Sequence, residues 1–583
     1  MDKNLKDPFL YFNYVNNSGE FTPLQFTKPI RVLIAQTISE VIPFMEIIQQ
    51  AVNDGYYAAG YLAYEAAPAF DPELEVNIDN QMPLLWFGIF NEPVMKQIES
   101  TNIPYMNKWK PTVTIEDYNK NINKIHSYIK DGLTKQVNYT IHFESEFKGD
   151  PLGFYKQLEH AQSANYSAYM DINDFTILSA SPELFFRLEN GKITTKPMKG
   201  TVGRGKTYED DIKNAEWLKN SKKNRKENQL VVDLMRSELG KIAIDKTIDV
   251  PSLYDIEKYP TVYQMTSTVT ATIRPEVTMI DIFKTLFPSG SITGMPKKDT
   301  MKIITELEKS PREVYCGAIG FITPDNEAVF NVPIRTVLID KRNGNAKYGV
   351  GGAITKDSTK EDEYEEVLIK SRLLTKKHQE FELLETIGLI NGEYIVLKNH
   401  LDRLNESALY FNFKLDLDAI YNALMAISKK HTKLKWKVRL VVNKNGKFSI
   451  KTEKVIHIES KLKVELSEKP VRKDDLFLYH KTTNRKTYEI HQGFHNDTFD
   501  VLLWNENDEI TEFTMGNIVV RLNGKLFTPP IECGLLAGTY RRFLLDNGKI
   551  SEKIIMVHEL EHCEEIWFIN SVREWVPVEL IYI

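Results

Sequence analysis

A chain of 583 residues is longer than one hydrophobic core usually organises, so we expect at least two domains. Its formal net charge of −6 gives no reason to propose a nucleic acid or a membrane surface as a partner. The cysteines Cys316, Cys533 and Cys563 are too few and too scattered for a disulfide framework or a zinc site. No apolar run is long enough to span a bilayer and the first residues lack the apolar core of a signal peptide, so the expected location is the cytoplasm.

The amino-terminal region, from about residue 8 to residue 145, mixes stretches typical of strands with stretches typical of helices. Its prolines, such as Pro43, Pro68 and Pro83, are scattered and do not form a linker-like cluster. We therefore place no domain boundary inside this region.

Residues 184–195 predict a β-hairpin, because an Asn190-Gly191 turn separates two apolar runs. Such a hairpin brings Glu183 and Lys199 close together at its open end. A one-residue slip of the pairing would reverse every side chain, so the sequence leaves open whether the two face the same side. A carboxyl beside an amine can act as a proton donor and a nucleophile, and the alternative is an exposed cross-strand ion pair.

Two predicted helices carry carboxylates. Glu227 lies on the apolar face of its own helix, where an unpaired charge would be costly. Residues 358–361 resemble a capping box that opens a second helix, on which Glu363, Glu366 and Lys370 share one face. Carboxylates from two helices that meet in a pocket suit a hard cation. The alternative, a solvated face with a Glu366–Lys370 pair, is adequate for the second helix alone.

The polar run of residues 375–380 indicates the end of the first domain, so we predict domains at residues 1–375 and 383–583. Asn-Gly turns at residues 391–392, 445–446 and 523–524 predict hairpins. The second domain is therefore expected to be a strand-rich α+β domain.

Four blocks between about Leu178 and Lys370 resemble the chorismate-utilising enzymes, a family that includes aminodeoxychorismate synthase component I, anthranilate synthase component I and the isochorismate synthases. Each block is degenerate alone, but their order and spacing are specific. The resemblance implies a β-sandwich flanked by helices. The blocks are Ser179-Ala180-Ser181-Pro182-Glu183 with Lys196-Pro197-Met198-Lys199-Gly200-Thr201; Glu227-Asn228-Gln229-Leu230-Val231-Val232-Asp233-Leu234; Gly290-Ser291-Ile292-Thr293-Gly294-Met295-Pro296-Lys297; and Gly351-Gly352-Ala353-Ile354 followed by Glu363 and Glu366.

The resemblance also implies roles for individual residues. Lys199 would attack the chorismate ring and Glu183 would assist departure of the 4-hydroxyl. Within the family, Lys at this position is typical of aminodeoxychorismate synthases and Ala of anthranilate synthases, while isochorismate synthases use a nearby lysine as a base on water. Gln264 stands where many relatives have His, and Gln cannot titrate near neutrality. The implied Mg²⁺ ligands are Glu227, Glu363 and Glu366, and the implied substrate contacts are Thr293, Tyr315, Arg335, Gly352 and Lys370.

The second domain resembles the fold-type IV pyridoxal phosphate enzymes, which include branched-chain aminotransferases and aminodeoxychorismate lyase. The resemblance implies that Lys481 forms an imine with the cofactor and that Glu512 pairs with its ring nitrogen. Arg403, Gly538, Thr539 and Ser571 would hold its phosphate. The matching residues are His400-Leu401-Asp402-Arg403-Leu404; His480-Lys481-Thr482-Thr483-Asn484; Glu509-Ile510-Thr511-Glu512 with Gly516-Asn517-Ile518; and Leu535-Leu536-Ala537-Gly538-Thr539.

Together the two resemblances imply a bifunctional enzyme that makes 4-aminobenzoate for folate. The first domain would aminate chorismate to 4-amino-4-deoxychorismate, and the second would release pyruvate from it. None of the cysteines lies between glycines as in a nucleophile elbow, so we expect a separate glutamine amidotransferase subunit to supply ammonia. The alternatives are an anthranilate or isochorismate synthase fused to an amino-acid aminotransferase, or a non-catalytic chorismate-binding scaffold.

Overall fold

The structure, a computed structural model, describes residues 7–100, 105–106, 108–375, 380–456, 461–491 and 498–581. It divides into two compact units, the first formed by Met1–Gly203 and Ala215–His378 and the second by Arg204–Asn214 and Gln379–Ile583. Residues 376–379 of the polar run predicted to close the first domain lie outside the described residues. Within the described ranges, no helix combines the length and the apolar character needed to cross a membrane.

The first unit is built mainly from antiparallel strands. They are β1 (Phe9–Val15), β2 (Phe21–Thr27), β3 (Arg31–Ala35), β4 (Tyr57–Leu62), β5 (Leu85–Phe90), β6 (Val94–Met95), β7 (Tyr105–Met106), β8 (Lys110–Pro111), β9 (Gln136–Lys148), β10 (Tyr166–Ile172), β11 (Phe175–Ser181), β12 (Leu184–Glu189), β13 (Lys192–Lys196), β14 (Met198–Gly203), β15 (Asp249–Lys258), β16 (Val262–Thr272), β17 (Gly294–Met295), β18 (Ala318–Ile322), β19 (Ala328–Asn331), β20 (Thr336–Asp340) and β21 (Asn345–Ile354).

These strands form two sheets that pack face to face. One is eleven-stranded with the order β17-β9-β21-β20-β11-β10-β1-β2-β6, and β7 and β8 pair with β9. The other is ten-stranded with the order β14-β16-β13-β12-β19-β18-β4-β5-β3, and β15 pairs with β16. Leu10 and Phe12 of the first sheet belong to one apolar core with Tyr61 and Ile319 of the second, so the sheets form a sandwich.

Helices cover the outer faces of this sandwich. Apolar residues of α1, α5 and α6, defined below, pack on the ten-stranded sheet, and those of α2, α3, α7 and α8 pack on the eleven-stranded sheet. The predicted β-sandwich flanked by helices is confirmed. The helices are α1 (Ile38–Asn53), α2 (Ile115–Lys130), α3 (Pro151–Gln162), α4 (Tyr208–Asn220), α5 (Lys222–Leu239), α6 (Met279–Leu286), α7 (Lys297–Leu307) and α8 (Lys360–Ser371).

The predicted hairpin is formed by β12 and β13, which pair antiparallel. Asn190 has φ of 50° and Gly191 has φ of 71°, the left-handed conformations that a two-residue hairpin turn needs. The pairing shifts register between Leu184 and Arg187. Because such a shift changes which side chains face which side, the sequence alone could not fix the direction of Glu183 and Lys199.

The start of α8 differs by one residue from the predicted capping box. Thr359, not Ser358, is the N-cap, and its hydroxyl accepts a hydrogen bond from the backbone N–H of Asp362. The Ser358 hydroxyl instead accepts from the backbone N–H of Thr355 at 3.1 Å. Turning this hydroxyl away from the helix moves the cap one position along the chain.

The second unit combines a small and a larger sheet with helices. The small sheet has the order β23-β22-β24-β25 and packs against α9 and α10, and the larger has the order β28-β27-β26-β33-β32-β29-β30-β31. All three Asn-Gly turns join paired strands, so the predicted hairpins and the α+β class are confirmed. The elements are β22 (Leu383–Ile390), β23 (Glu393–Tyr394), α9 (Leu397–Phe411), α10 (Leu417–Lys430), β24 (Lys435–Val442), β25 (Phe448–Lys454), β26 (Leu462–Leu466), α11 (Lys486–Glu489), β27 (Asp500–Trp504), β28 (Ile510–Phe513), β29 (Asn517–Leu522), β30 (Lys525–Thr528), α12 (Thr539–Asp546), β31 (Ser551–Glu552), β32 (Glu565–Asn570) and β33 (Glu574–Leu580).

Candidate active sites

A cavity of about 350 Å³ in the first unit collects most of the residues predicted to bind chorismate and metal. It lies where β9, β14 and β21 meet α5 and α8. Thr293 does not line it, because this fully buried side chain turns its hydroxyl to the carbonyl of Ser289 at 3.2 Å. The predicted residues that line the cavity are Glu183, Lys199, Glu227, Tyr315, Arg335, Gly352, Glu363, Glu366 and Lys370.

Lys199 projects from β14 into this cavity and is 9% exposed, so the alternative of an exposed ion pair does not hold. Its Nζ donates hydrogen bonds to Asn138 Oδ1 at 3.0 Å and to the carbonyl of Ser291 at 2.8 Å. Burial lowers the pKa of Lys199, and the nearby carboxyls of Glu183 and Glu227 only partly offset that effect. The buried ammonium form of Lys199 is therefore easier to deprotonate than that of an exposed lysine.

Glu183 follows the end of β11 and is buried beside Lys199. Its Oε1 accepts a hydrogen bond from the Ser291 hydroxyl at 2.5 Å. Burial raises the pKa of Glu183 from the ordinary 4.5 to about 7, against the opposing effects of Ser291 and Lys199. Near neutral pH the site therefore holds a carboxyl that can give a proton beside an amine that can attack.

Ser291 and Asn138 were not predicted from the sequence. Ser291 lies in a short 3-10 turn, Gly290–Ile292, inside a recognised block, and its hydroxyl and carbonyl reach Glu183 and Lys199 separately. Asn138 lies on β9 and donates from Nδ2 to the same carbonyl at 3.0 Å. The start of β9 alternates polar and apolar residues, so Asn138 did not stand out in the sequence.

The three predicted metal ligands line the cavity from α5 and α8. Burial raises the pKa of Glu227, and burial together with Glu366 raises the pKa of Glu363 to about 7. Burial alone would raise the pKa of Glu366, but the ammonium of Lys370, 2.5 Å away, holds it below its ordinary value. In the part of the chain that the structure describes, no three such side chains converge closely enough to hold an ion by themselves.

These carboxylates nevertheless fit a hard cation that shares its ligands with a bound substrate. The pKa values of Glu227 and Glu363 are raised by burial and by the charge of Glu366, and a cation would relieve both effects. A Cβ at Gly352 would lie 2.9 Å from Glu363 Oε2, so the absence of a side chain keeps this part of the cavity open. The ion would complete its oxygen shell with substrate or water oxygens.

Basic and polar groups line the cavity together with the carboxylates. Lys370 donates to the carbonyl of Gly351 at 2.7 Å, and Arg335 donates to the carbonyl of Lys370 at 3.0 Å. Gln264 is 8% exposed and lines the cavity, and its Oε1 has no hydrogen-bond partner among the described residues. This amide therefore offers a free acceptor to a ligand where an imidazole was expected from relatives.

A second cavity, of about 430 Å³, lies in the second unit and contains all the residues predicted for the cofactor. Burial lowers the pKa of Lys481 to about 7, with further lowering by Arg403 and Arg485. The predicted residues that line it are Arg403, Lys481, Glu512, Gly538, Thr539 and Ser571.

Glu512 is held in this cavity by three donors. Its Oε1 accepts from the hydroxyl of Tyr488 at 2.8 Å and from the backbone N–H of Leu536 at 3.0 Å. Its Oε2 accepts from Asn517 Nδ2 at 3.2 Å. Burial nevertheless raises the pKa of Glu512 to about 7, so the carboxyl is suited to sharing a proton with a ring nitrogen.

Arg403 and His400, both on α9, contact the buried carboxylate of Glu385 on β22. Arg403 donates from Nε and one terminal nitrogen to Glu385 at 2.9 and 2.6 Å, and His400 Nδ1 lies 2.6 Å from the same carboxylate. Burial would raise the pKa of Glu385, but Arg403 and His400 lower it to about 2. His400 Nε2 lies 2.9 Å from Ser571 Oγ and 3.1 Å from Thr539 Oγ1.

This end of the cavity fits a phosphate. Gly538 is the N-cap of α12, and a Cβ there would lie 1.8 Å from Asn517 Oδ1, so only glycine leaves the start of the helix accessible. Backbone N–H groups at a helix start and an arginine are ordinary phosphate donors. The amine, the carboxyl and the phosphate donors therefore fit pyridoxal phosphate.

Residues 95–376 match the family model of chorismate binding enzymes, and residues 382–581 match that of the class IV aminotransferases. The chain therefore carries two segments, each similar to a different enzyme family. Both predicted family resemblances are confirmed, and the class IV domain implies pyridoxal phosphate as cofactor.

Individual relatives resemble the first of these domains. Aminodeoxychorismate synthase component 1 of Salmonella typhimurium is 37% identical over 262 residues, which are 45% of this chain and 57% of that protein. Anthranilate synthase component 1 of Aquifex aeolicus is 33% identical over 273 residues, 47% of this chain and 55% of that protein. The chain thus spans less than two thirds of the length of these curated relatives.

A solved structure shares the fold of the first domain. The crystal structure of anthranilate synthase component I from Streptococcus pneumoniae matches with a TM-score of 0.51 and 21% identity, over 64% of this chain and 94% of that chain. At this identity the match concerns the fold of the sandwich and its helices.

The raised pKa of Glu183 predicts a pH-dependent stability. A carboxyl whose pKa is about 7 when folded and 4.5 when unfolded adds stability below pH 4.5, which is lost as the pH rises through 7. The parent protein should therefore lose stability between pH 5 and pH 8, and Glu183→Gln should not. The variant's free energy of unfolding, compared with that of the parent, should be higher at pH 8 than at pH 5 by up to about 3 kcal/mol. Denaturant titration of the first unit's transition at both pH values measures this. Glu189→Gln, on the partly exposed end of β12, is the control, and an equal pH response in both variants would contradict the shift.

The two hydrogen bonds from Arg403 to Glu385 lead to a prediction about the affinity for pyridoxal phosphate. Arg403→Lys keeps the charge but loses the two-pronged pairing with Glu385, so the Kd for pyridoxal phosphate should rise about tenfold or more. Titration of the apoprotein followed by cofactor absorbance measures this. Arg542→Lys, whose guanidinium lies near Glu406 and outside the cavity, should bind as the parent does. An unchanged affinity in Arg403→Lys would show that Arg403 does not hold the phosphate.

Proposed function

We propose that the first unit replaces the 4-hydroxyl of chorismate by an amino group and that the second unit removes pyruvate from the resulting 4-amino-4-deoxychorismate. The product would be 4-aminobenzoate for folate. The observation that carries the first assignment is the buried Lys199 amine, bridged through Ser291 to a Glu183 carboxyl whose pKa is near neutral. The similarity to aminodeoxychorismate synthase component 1 supports the same reaction.

The residues account for an amination in two displacements. The lone pair of Lys199 Nζ forms a bond to a ring carbon, the ring π electrons shift toward C4, and the bond from C4 to its hydroxyl breaks; Glu183 gives the proton with which the hydroxyl leaves as water. The new secondary ammonium returns a proton to Glu183. Ammonia then bonds to C4, the π electrons shift back, and the bond to Nζ breaks; Nζ keeps the electron pair of that bond and takes a proton from the new ammonium at C4.

Glu227, Glu363 and Glu366 would hold Mg²⁺ in this proposal. When bound, the ion would neutralise a substrate carboxylate and the negative charge of the three side chains. Lys370, Arg335, Tyr315 and the backbone around Gly352 would then contact the remaining carboxylate oxygens. A buried site with both signs of charge fits a dianion better than either sign alone would.

In the second unit, pyridoxal phosphate, when bound, would supply the electron sink for elimination of pyruvate. Glu512 would hold a proton on the cofactor ring nitrogen, and Lys481 would carry protons between carbon atoms, because its pKa of about 7 allows it both to accept and to give one. Arg403 and the start of α12 would anchor the phosphate.

Charge in the second cavity favours a substrate with two carboxylates over a simple amino acid. Arg439, Arg485 and Arg573 line it, and none of them forms an ion pair with a carboxylate in the described part of the chain. Arg439 pairs with Thr386 across β24 and β22 and so lies on the cavity face of the sheet. Arg485 and Arg573 lie over the rings of Tyr488 and Phe499. Unpaired arginines in a cavity suit a carboxylate-bearing ligand, and 4-amino-4-deoxychorismate carries two.

A separate glutaminase subunit would supply the ammonia. Burial raises the pKa of the Cys316 and Cys533 thiols to about 12 and that of Cys563 to about 11. None of these thiols therefore supplies a thiolate near neutral pH, which a cysteine glutaminase requires. Free ammonium should replace the subunit in vitro.

Product analysis tests the amination. The protein incubated with chorismate, Mg²⁺, ammonium and pyridoxal phosphate should form 4-aminobenzoate and pyruvate, and Lys199→Ala should lower the rate by about a thousandfold or more. Lys192→Ala, at the exposed end of β13, should retain the parent rate. Anthranilate or isochorismate as the product would refute the assignment of the first unit. Accumulated 4-amino-4-deoxychorismate would refute that of the second.

A second variant tests the substrate class of the lyase. Arg573→Gln should raise the KM for 4-amino-4-deoxychorismate about tenfold and leave cofactor affinity unchanged, because Arg573 lines the cavity with its guanidinium over the ring of Phe499 and is not among the predicted cofactor contacts. Steady-state kinetics of pyruvate release and a cofactor titration measure both. Arg521→Gln, on the outer edge of β29 with Glu565 as its partner, is the control. An unchanged KM would show that the arginine does not bind substrate.

A further inference from the structure

Lys199 Nζ has two hydrogen-bond acceptors among the described residues. A neutral primary amine has two N–H bonds, and Asn138 Oδ1 and the Ser291 carbonyl accept one each, at 3.0 and 2.8 Å. An ammonium would carry a third N–H, for which no further acceptor lies within hydrogen-bond distance among the described residues. With both hydrogens engaged, the lone pair is the remaining direction at Nζ, and the cavity is the space that remains beside it.

The amide of Asn138 can play this part in only one orientation. Nδ2 donates to the Ser291 carbonyl at 3.0 Å, so Oδ1 is the atom that faces Lys199. If the amide were flipped, Oδ1 would lie against the Ser291 carbonyl oxygen without a hydrogen between them. Nδ2 would then donate a hydrogen bond to the lone pair of Nζ. Asn138, Ser291 and Lys199 therefore form a closed triangle in which each polar atom has a partner of the right kind.

A buried ion pair fixes the backbone that carries this triangle. Arg312, 2% exposed, donates to the carbonyl of Asn138 at 2.8 Å and to that of Ile292 at 2.9 Å. Two further donor contacts, at 2.8 and 2.7 Å, bind it to Glu308. Glu308 Oε1 in turn accepts from the backbone N–H and the hydroxyl of Thr140 at 2.8 and 2.9 Å. The strand with Asn138 and the turn with Ser291 are thus held at a fixed separation.

We infer that Asn138 is a positioning residue that engages both hydrogens of Lys199 together with Ser291 and leaves the lone pair free for attack, with Arg312 and Glu308 fixing it in place. This role rests on the proposed function of Lys199 as nucleophile. Asn138 sets the direction of attack, because the Lys199 amine can rotate only by breaking one of its two hydrogen bonds in a buried site. No substrate atom needs to touch Asn138.

Four charged side chains act on Nζ besides its two acceptors. They are Glu183, from the turn after β11, Glu227 from α5, and Glu366 and Lys370 from α8. None of them is within hydrogen-bond distance of Nζ, whereas Asn138 is. A carboxylate at position 138 would therefore add an anion in direct contact and would hold the amine as an ammonium, whose lone pair is occupied.

Asn138→Asp keeps the shape of the side chain but replaces the Nδ2 donor to the Ser291 carbonyl by an oxygen, so it tests the contacts of Asn138 with Nζ and with Ser291 together. We expect the rate of amination at pH 7.5 to fall about thirtyfold or more, the KM for chorismate to stay within about twofold, and the alkaline rise of kcat to move up by more than about one pH unit. Asn121→Asp, on α2 and outside the cavity, is the matched control and should leave all three unchanged. Denaturant titration of the first unit's transition reports whether each variant is folded.

A direct readout is the covalent adduct. Without ammonium, the parent protein mixed with chorismate should gain mass on the peptide that contains Lys199, and Asn138→Asp should gain it about thirtyfold more slowly at pH 7.5 and recover at higher pH. If Asn138→Asp does not fold, Asn138→Ser replaces it. That side chain is too short to reach Nζ, so the adduct should form slowly at every pH.

The outcomes distinguish this inference from the function on which it rests. Amination that survives in Lys199→Ala overturns both. An inactive Lys199→Ala together with an Asn138→Asp that keeps the parent rate and pH profile overturns only the positioning role. A raised KM with an unmoved pH profile would mean that Asn138 supports the fold of the cavity and does not direct the amine.

Discussion

Burial of an amine beside a carboxyl, without direct pairing between them, is the constraint on which both cavities depend. In the first unit these groups are Lys199 and Glu183, and in the second they are Lys481 and Glu512; the described residues show no ion pair within either couple. Desolvation disfavours the charged form of every one of them and is the largest cause of each pKa shift. Burial in the fold thus brings the pKa values of Glu183, Lys481 and Glu512 to about 7 and lowers that of Lys199.

Ion pairs in direct contact have the opposite effect and perform a different task. Lys370 holds Glu366 ionised, and Arg403 with His400 holds Glu385 ionised, so these groups keep fixed charges across the neutral range. Fixed charges orient a dianionic substrate or a phosphate but cannot transfer a proton. Each cavity therefore combines separated groups, whose pKa values are shifted by burial, with paired groups that keep fixed charges.

The sequence predicted what depends on local patterns and missed what depends on tertiary contacts. Asn190-Gly191 specified its hairpin because only residues that tolerate positive φ close such a turn. The direction of Glu183 could not be predicted, because a register shift in β12 decides it. The sequence did not identify Ser291, because its contact with Lys199 is made by the backbone carbonyl, a group that every residue has. The predicted cap at Ser358 was displaced to Thr359 because the Ser358 hydroxyl bonds to Thr355 instead.

Lys199 and Lys481 differ in whether hydrogen bonds hold their side-chain nitrogen, and this difference separates their chemistry. Lys199 is tethered by two acceptors, so its nitrogen has one position and one free direction, which suits a single attack on one carbon. Lys481 has no hydrogen-bond partner for Nζ among the described residues, and its close charged neighbours include Arg403 and Arg485, which repel the ammonium form. An untethered neutral amine can bond to an aldehyde and afterwards move between the atoms that give and take a proton. The same desolvation thus yields a directed nucleophile where the amine is held and a mobile base where it is not.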